Sequence, residues 1–499
     1  MAVNPIRLSG LSSGLDTESI VKSMLASAQV KVDRQAQTTT KLEWKADALR
    51  EINAAIKAFR QTNMSALAPS SNMLSAATYN AYSVAMLTST SAVSVSAGSS
   101  ANAGQVTINS ITQLATAATV KGANNAFKGE TMNTSAKLAD LELENPLEFE
   151  DGAISFSING KTFSFTEDTT LTSMMSTINA SDAGVRMSYS SLTKGFTLTA
   201  KTTGSASKVE IENLTGNAFA AEDSAFGISP VTETGKNAEL KINGVDVVRS
   251  SNNFTIDGIT YSLKAQSDTE INFSVEQDVE STLNKIVSFI DSYNALISSM
   301  QDKVSEKTYR AYAPLTDAQR GELETKEIEL WEAKAKSGVL RNDSAISSLL
   351  STMRSAFYTA VESVGMTAAD IGLTTGSYGD GGKITVDKDK LRAALQNNPD
   401  AVTNLFTAKA TSTDKKEAFK EAGLMIRISD ALLAYTSSAT NDTLAGLEKQ
   451  ISDSENMEAS LLDKLSTKEQ ALWARFTAME SALSMMNSQS SWLSSLFTS

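Results

Sequence analysis

The last part of the chain carries an apolar residue at nearly every seventh position, and this pattern limits its fold more than any other feature of the sequence. This terminal stripe consists of Leu444, Ile451, Glu458, Leu465, Leu472, Met479, Met486 and Leu493, of which only Glu458 is polar. Companion apolar residues follow five of these eight positions, three or four residues later: Leu447, Leu461, Leu462, Phe476, Ala482, Leu483, Leu496 and Phe497. A seven-residue repeat predicts a helix that packs against another helix, and residues 444–497 span roughly 80 Å at ~1.5 Å per residue. We therefore predict a terminal helix longer than a compact domain is wide.

The beginning of the chain also shows helical spacing. Apolar residues such as Leu49, Ile52 and Ile56 recur every three or four positions between residues 16 and 67, with charged residues between them. Pro69 follows this region and predicts its end. We predict one long helix or two.

Residues 76–280 have a different sequence pattern, in which Val, Ile and Thr alternate with polar residues. The predicted strands lie at 84–95, 105–111, 154–165 and 185–199, with one short helix at 171–179. Turn signals of the hairpin type support them at Asn159-Gly160, Lys194-Gly195, Asn243-Gly244 and Asp257-Gly258. The middle of the chain is therefore predicted to be mostly antiparallel β.

Helical spacing returns near residue 279 and continues through 317–336, 345–364 and 387–406. A Gly-rich turn at 376–382 interrupts it, followed by a predicted short strand at 384–386 and a helix capped by Asp387. A chain of 499 residues exceeds the ~250–300 that one core supports. We predict a multidomain α+β protein, in which long N- and C-terminal helices pack together like a coiled coil and the central antiparallel β insertion forms separate head domains.

The chain contains no cysteine and no histidine, which removes many kinds of chemistry. Thiolate and imidazole metal sites, Ser-His-Asp triads and disulfides are excluded. The net charge of -13 disfavours nucleic acid, and no stretch reaches the ~18 apolar residues of a membrane helix. The opening MAVNPIRLSGLSSGLD lacks the pattern of a cleaved signal peptide. We expect no enzymatic activity, no cofactor and no metal.

Short motifs that suggest chemistry have simpler interpretations. Residues 10–14 match G-x-S-x-G but lack a histidine base, and residues 19–22 match S-x-x-K without its partner motifs. Residues 160–162 resemble the end of a phosphate loop but lie in a predicted hairpin. Three aspartates without the spacing of a calcium loop are Asp380, Asp387 and Asp389. None of these motifs predicts a catalytic or cation site.

The terminal stripe has two interpretations. A core helix of an ordinary bundle shows the same pattern and is the common explanation of an isolated stripe. The stripe ends, however, in Trp492, Leu493, Leu496 and Phe497, where a monomer has little chain left to cover them. We therefore favour assembly with another chain.

Several long segments resemble, in order, the bacterial flagellar hook-associated protein 2 family of filament-capping proteins. They are SGLSSGLDTESIVKSML at 9–25, INGVDVVRSSNNFTIDGITYSLKA at 242–265, SFIDSYNALISSM at 288–300, SGVLRNDSAISSLLSTMRSAF at 337–357, DIGLTTGSYGDGGKITVDKDKLRAALQNNPDAVTNLF at 370–406 and MESALSMMNSQSSWLSSLF at 479–497. Residues 170–200 are similar to an insertion repeat found in some flagellins. The resemblance is weakest at 113–153 and 201–235.

The resemblance implies a secreted, extracellular protein at the distal tip of the flagellum. It would form a homo-oligomeric ring of about four to six copies, with about five preferred, and promote the folding and polymerisation of exported flagellin. Further implied partners are the hook–filament junction protein, the export apparatus and its chaperone, with no nucleic acid and no membrane insertion.

The resemblance also implies a division of the chain by role. Segments 1–40 and 441–499 would be terminal coiled-coil segments that insert into the filament, and 41–75 with 281–440 would form a helical leg domain. Segments 76–125 with 232–280 would form one β-rich head domain and 126–231 a second. The residues we expect at the assembly interface are Ile20, Met24, Leu465, Leu472, Phe476, Met479, Leu483, Met486, Trp492, Leu493, Leu496 and Phe497.

Two alternatives stay open at this point. The chain could be a filament or hook–filament junction subunit, which would polymerise indefinitely rather than close into a ring. It could also be a tip adhesin that presents its β-rich region to host surfaces.

Overall fold

The computed structural model describes residues 14–68, 71–129, 132–376 and 381–497, with the backbone alone described at 438–441 and 495–497. The chain forms two compact units, one comprising Met1–Tyr79 with Glu280–Ser499 and the other Asn80–Val279. The first is mostly helical and the second mostly antiparallel β. The predicted fold class, with long terminal helices and a central antiparallel insertion, is confirmed.

The N-terminal region forms a single helix, α1 (Thr17–Met64). It contains no glycine or proline, and the Asp16 carboxylate caps its first turn by accepting a hydrogen bond from the Ser19 N–H at 3.0 Å. Its second half buries side chains at helical spacing: Ala46, Leu49, Ile52, Ile56 and Phe59. Pro69, predicted to end the helix, lies outside the described residues.

The central unit contains fifteen strands and one helix among its described residues. They are β1 (Tyr82–Met86), β2 (Val93–Ala97), β3 (Gly104–Gln113), β4 (Thr119–Lys121), β5 (Ala153–Ile158), β6 (Lys161–Thr166), α2 (Leu171–Ala180), β7 (Val185–Ser190), β8 (Gly195–Ala200), β9 (Lys208–Thr215), β10 (Val231–Thr234), β11 (Ala238–Ile242), β12 (Val245–Arg249), β13 (Asn253–Ile256), β14 (Ile259–Leu263) and β15 (Ile271–Gln277). The predicted helix at 171–179 is thereby confirmed.

These strands bury two separate apolar clusters. The sheets β1-β15-β3-β11-β12 and β13-β14-β2 share one cluster, which includes Ile108, Tyr261 and Phe273. The sheets β10-β9-β5-β6 and β4-β8-β7 share the other with α2, and its centre is aromatic. There Phe156 meets Phe219 edge-on, with ring centroids 4.7 Å apart.

Three of the four predicted hairpin turns have two residues with positive φ, as a type I′ turn requires. These pairs are Asn159 (50°) with Gly160 (80°), Asn243 (50°) with Gly244 (80°), and Asp257 (50°) with Gly258 (76°). The fourth differs, because Ser190 pairs with Gly195 and leaves a four-residue turn at 191–194. Lys194 therefore ends a longer turn instead of forming a two-residue one.

The prediction of one strand at 84–95 was wrong. β1 pairs with β15, whereas β2 pairs with β14 in a different sheet. The chain changes sheet between them, where the Leu87 and Thr88 N–H groups both donate to Asn272 O at 2.9 and 3.1 Å. The Thr90 hydroxyl then accepts a hydrogen bond from the Ala92 N–H at 3.0 Å and starts β2.

The rest of the helical unit follows the central insertion. Its elements are α3 (Val279–Ser305), α4 (Asp317–Glu322), α5 (Thr325–Lys336), α6 (Ser344–Tyr358), β16 (Leu373–Thr375), β17 (Ile384–Val386), α7 (Lys388–Asn397), α8 (Pro399–Thr407), α9 (Lys415–Glu421), α10 (Leu424–Ala434) and α11 (Thr440–Phe497). A π-helical turn, Tyr435–Ala439, joins α10 to α11.

Three helical stretches predicted in this unit end early or are divided. The stretch at 317–336 is divided into α4 and α5, because the backbone is extended at Leu323 and Glu324. The helix predicted at 345–364 ends at Tyr358, because the backbone becomes extended at Thr359 and Val361 forms a β-bridge with Met366. The helix predicted at 387–406 is divided at Pro399, which cannot donate a backbone hydrogen bond. The predicted short strand at 384–386 is confirmed as β17.

Candidate assembly surface on the terminal helices

The two terminal helices α1 and α11 lie side by side and run in opposite directions. Near the middle of α1, Gln35 Nε2 donates to Ser454 Oγ at 2.6 Å. Nearer the start of α1, Lys468 Nζ donates to Met24 O at 3.3 Å. Residue numbers therefore fall along α1 as they rise along α11. The helix that the terminal stripe was predicted to pack against is α1 of the same chain.

A buried polar cluster fixes the register of this pair. Thr39 Oγ1 lies 2.9 Å from Ser454 Oγ and 3.3 Å from Glu458 Oε2, and both Thr39 and Ser454 are buried. Glu458 is the one polar residue of the terminal stripe, and its carboxylate accepts this hydrogen bond from Thr39 on α1. In this alignment both hydroxyls are hydrogen-bonded across the helix pair, and Thr39 Oγ1 also lies 3.1 Å from Gln35 O within α1. A buried hydroxyl without a partner would cost about 1–3 kcal/mol.

The middle of the terminal stripe is covered by the chain itself. Leu472 is only 6% exposed, and the hydrogen bond between Lys468 and Met24 places it about one turn further along α11, level with the start of α1. The other expected interface residues that are half-buried are Ile20, Leu465, Phe476, Met479 and Leu483. As far as Leu472, the stripe therefore lies along the described part of α1.

The end of the stripe is exposed. Trp492 is 62% exposed, and Met485, Met486 and Leu493 are exposed with it. Met485 and Met486 precede Trp492 and Leu493 by seven residues each, so the four side chains share one face of α11. Exposed apolar patches of this kind are typical of interaction sites, and the place of these residues in an assembly interface stays a prediction.

Three further expected residues have a different status. Met24 is exposed on α1, although its carbonyl accepts the Lys468 hydrogen bond. Leu496 and Phe497 belong to α11, but their side chains lie outside the described ones. Their place in an interface therefore stays a prediction.

The residues of α1 and α11 that fix the register were not predicted from the sequence. Val21, Thr39 and Ser454 are all buried, yet only the polar step at Glu458 gave a signal for them. Ser454 occupies the companion position between Leu447 and Leu461, seven residues from each, but as a serine it looks like a surface residue in the sequence alone. Met485 was also missed, because it lies next to a stripe position instead of on one.

The motifs that suggested chemistry occupy structural positions. Ser19 lies in the first turn of α1 and Lys22 is exposed on the same helix, so the S-x-x-K match belongs to a helix start. Residues 160–162 form the β5–β6 turn and the start of β6. Asp387 accepts hydrogen bonds from the N–H groups of Asp389 and Lys390 at 3.1 and 3.0 Å, as a helix cap does. Residues 10–13 and Asp380 lie outside the described residues.

Two other features are absent from the described part of the chain. It holds no group of three or more acidic side chains placed to bind a metal ion. Within the same ranges, no helix is both long enough and apolar enough to cross a membrane.

Comparison with known proteins gives a consistent family match. Residues 13–118 match the family model described as the flagellar hook-associated protein 2 N-terminus, and residues 235–488 match that of its C-terminus. A flagellar hook-associated protein 2 from Halalkalibacterium halodurans is 30% identical over 551 aligned positions, which cover 99% of this chain and 100% of that protein. One from Salmonella typhimurium is 27% identical, covering 66% of this chain and 67% of the relative.

A known structure shares the fold. The crystal structure of the flagellar cap protein FliD from Escherichia coli matches with a TM-score of 0.54 and 21% identity. The match covers 80% of this chain and 99% of that one. The arrangement of helical and β-rich regions is therefore common to both proteins.

Proposed function

Because the chain belongs to the flagellar hook-associated protein 2 family, we propose that it caps the growing flagellar filament. In this proposal it forms a ring at the tip, retains exported flagellin and promotes its folding and polymerisation. The activity needs no covalent chemistry, only surfaces that shelter an incoming subunit and then release it.

One observation carries this proposal: the exposed patch Met485, Met486, Trp492 and Leu493 at the end of a helix pair. The buried part of the terminal stripe keeps α11 straight against α1, and the exposed end then continues the same repeat toward another chain. Burying each such side chain contributes about 1.5–3 kcal/mol, so the patch supplies enough free energy for specific docking. We infer that it packs against helices in coiled-coil fashion.

The proposal assigns roles to the other segments. The leg domain comprises 41–75 and 281–440, and the segments that insert into the filament are 1–40 and 441–499. The head domains, 76–125 with 232–280 and 126–231, form the plate of the ring. A closed ring of identical subunits uses one repeated head-to-tail contact. We propose about five copies in that ring, within the four to six that the family resemblance suggests.

The remaining partners follow from the place of action. At the distal tip, outside the cell, the cap contacts flagellin and, before filament growth, the hook–filament junction protein. We also propose secretion through the flagellar export apparatus with a dedicated chaperone, as membership of this family suggests.

The test is filament growth in cells that lack their own copy of the cap. We expect Trp492→Asp to release unpolymerised flagellin into the medium, because a carboxylate on the exposed patch opposes docking. The matched control is Leu330→Asp, since Leu330 is also 62% exposed but lies on α5. Electron microscopy of the purified chain should show closed rings. Fibres, or equal filament growth with both variants, would contradict the proposal.

A further inference from the structure

A long groove runs along the α1–α11 pair on the side where the segment before α4 lies. Its volume is about 1270 Å³, and its lining extends along α1 from Glu18 to Glu43. At a rise of ~1.5 Å per residue this is roughly 38 Å. Leu315 and Thr316 close one end, where Gln37 Nε2 donates to Pro314 O at 2.9 Å. This α1–α11 groove is separate from the exposed patch at 485–493.

The floor of the groove is apolar and partly uncovered. Leu25 and Leu465 are half-buried there, while Val30 and Leu462 are 45% and 46% exposed. Val30 is on α1 and Leu462 on α11, so the uncovered surface spans both helices. Half-exposed apolar side chains on both sides of a groove form a surface that the apolar face of another helix can cover.

The rim of the groove is acidic. It carries seven carboxylates and two cationic groups: Glu18, Asp33, Glu43, Asp317, Glu455, Glu458 and Glu469, with Lys22 and Arg320. Arg320 also forms an ion pair with Glu332, which reduces its effect on the groove. The negative potential therefore runs along the length of the groove.

We propose that the α1–α11 groove binds a cationic amphipathic helix of a partner protein. A helix fits because a straight groove between two helices accepts a third one, whose apolar stripe covers Val30 and Leu462. Lysine and arginine beside that stripe then face the carboxylates of the rim. The same groove of a second copy is excluded as the occupant, because it would bring acidic rims together. This binding goes beyond capping, which uses the exposed end of α11.

The first experiment uses the full chain and two synthetic peptides. One is a labelled 15-residue amphipathic helix of leucine and lysine, and the other has glutamate in place of each lysine. Fluorescence anisotropy should show binding of the lysine peptide, weakened at least tenfold between about 50 mM and about 500 mM salt, and no binding of the glutamate peptide. Equal binding of the two peptides, or binding insensitive to salt, would overturn the proposal.

Variants then place the peptide in the groove. Leu462→Gln should weaken binding of the lysine peptide about tenfold, because it removes uncovered apolar surface from the floor. Met457→Gln is the matched control, since Met457 is 53% exposed on the same helix but does not line the groove. Equal affinities of these two variants would show that the peptide binds elsewhere.

A second pair of variants tests the charge without touching the apolar floor. The double variant Asp33→Asn with Glu455→Gln removes two carboxylates of the rim. Asp453→Asn with Asp463→Asn removes two from α11 outside it. The first pair should weaken binding about tenfold and the second less than twofold. If both pairs have the same effect, the peptide responds only to the overall charge of the chain and the proposal fails.

Discussion

At the scale of single residues, the most constrained side chain of the helical unit is Arg427. It is 2% exposed, and its guanidinium donates to five backbone carbonyls at 2.6–3.0 Å: those of Ala356, Thr359, Ala360, Phe419 and Lys420. These carbonyls lie at the ends of α6 and α9, where helix geometry leaves them without partners. Burial lowers the pKa of Arg427 to about 10, which still leaves it charged at neutral pH. One cation thus joins two helix ends.

We expect Arg427→Met to lower the free energy of unfolding by about 3–5 kcal/mol, because it leaves several buried carbonyls without a donor. Urea unfolding followed by helical circular dichroism measures this. Arg320→Met is the control, since its ion pair with Glu332 is on the surface and is worth less than about 1 kcal/mol. Similar midpoints for the two variants would mean that α6 and α9 do not depend on Arg427.

Two glycines with the same turn geometry differ in the space around them. Gly244 and Gly258 both have φ near +80°, and both end a two-residue hairpin turn. A Cβ on Gly244 would meet nothing within 4 Å, whereas one on Gly258 would lie 2.5 Å from Ala101 N. The β13–β14 turn therefore rests directly on the backbone of the loop after β2.

We expect Gly244→Ala to cost about 1 kcal/mol, because alanine tolerates this backbone conformation poorly. Gly258→Ala should cost about 1–3 kcal/mol more, since the backbone of Ala101 must also move. The comparison needs only the thermal midpoints of the β-rich unit. Equal losses of stability in the two variants would show that the backbone of the loop after β2 moves to accommodate the added Cβ without a free-energy penalty.

At the scale of elements, the terminal stripe has two parts with different tasks. Leu472 is covered by α1, while Leu493, three repeats later, is exposed. We expect Leu472→Asp to destabilise the α1–α11 pair by about 3 kcal/mol or more, because it places a charge in a buried apolar contact. Leu493→Asp should leave unfolding unchanged and reduce ring formation.

The measurements are urea unfolding followed by helical circular dichroism, and sedimentation for assembly. A Leu493→Asp chain that unfolds as early as the Leu472→Asp chain would show that the whole stripe is core. If Leu472→Asp leaves the unfolding curve unchanged, the pairing of α1 with α11 contributes little to stability.

What the sequence could predict at this scale depends on how local the cause is. Hairpin turns such as Asn243-Gly244, the Asp387 cap and the length of α11 come from neighbouring residues, and all were predicted. The change of sheet between β1 and β2 was not, because β1 pairs with β15, almost 190 residues later. The buried hydroxyl of Ser454 was missed for the same reason, since its partner Thr39 is 415 residues away.

At the scale of the whole molecule, the β-rich unit is an insertion whose two ends meet. Tyr82 pairs with Gln277 across β1 and β15, and the Asp278 N–H donates to Ala81 O at 2.8 Å. Both apolar clusters of this unit consist of residues between 92 and 275. Removing the unit from the chain therefore cuts only two covalent connections and divides neither of these clusters.

We expect the fragment 80–279 to fold alone, with a β-type circular dichroism spectrum and a single cooperative melt, because its sheets and cores are complete.

The control is the fragment 80–230, which lacks β10–β15. In that fragment β3 loses both of its neighbours, β15 and β11, so half of the unit has no sheet to join. The shorter fragment should lose the cooperative melt of the sheet that contains β3. If 80–279 melts without cooperativity, the unit depends on the helical part of the chain; if 80–230 melts like 80–279, the sheet β1-β15-β3-β11-β12 is not the element that holds the insertion together.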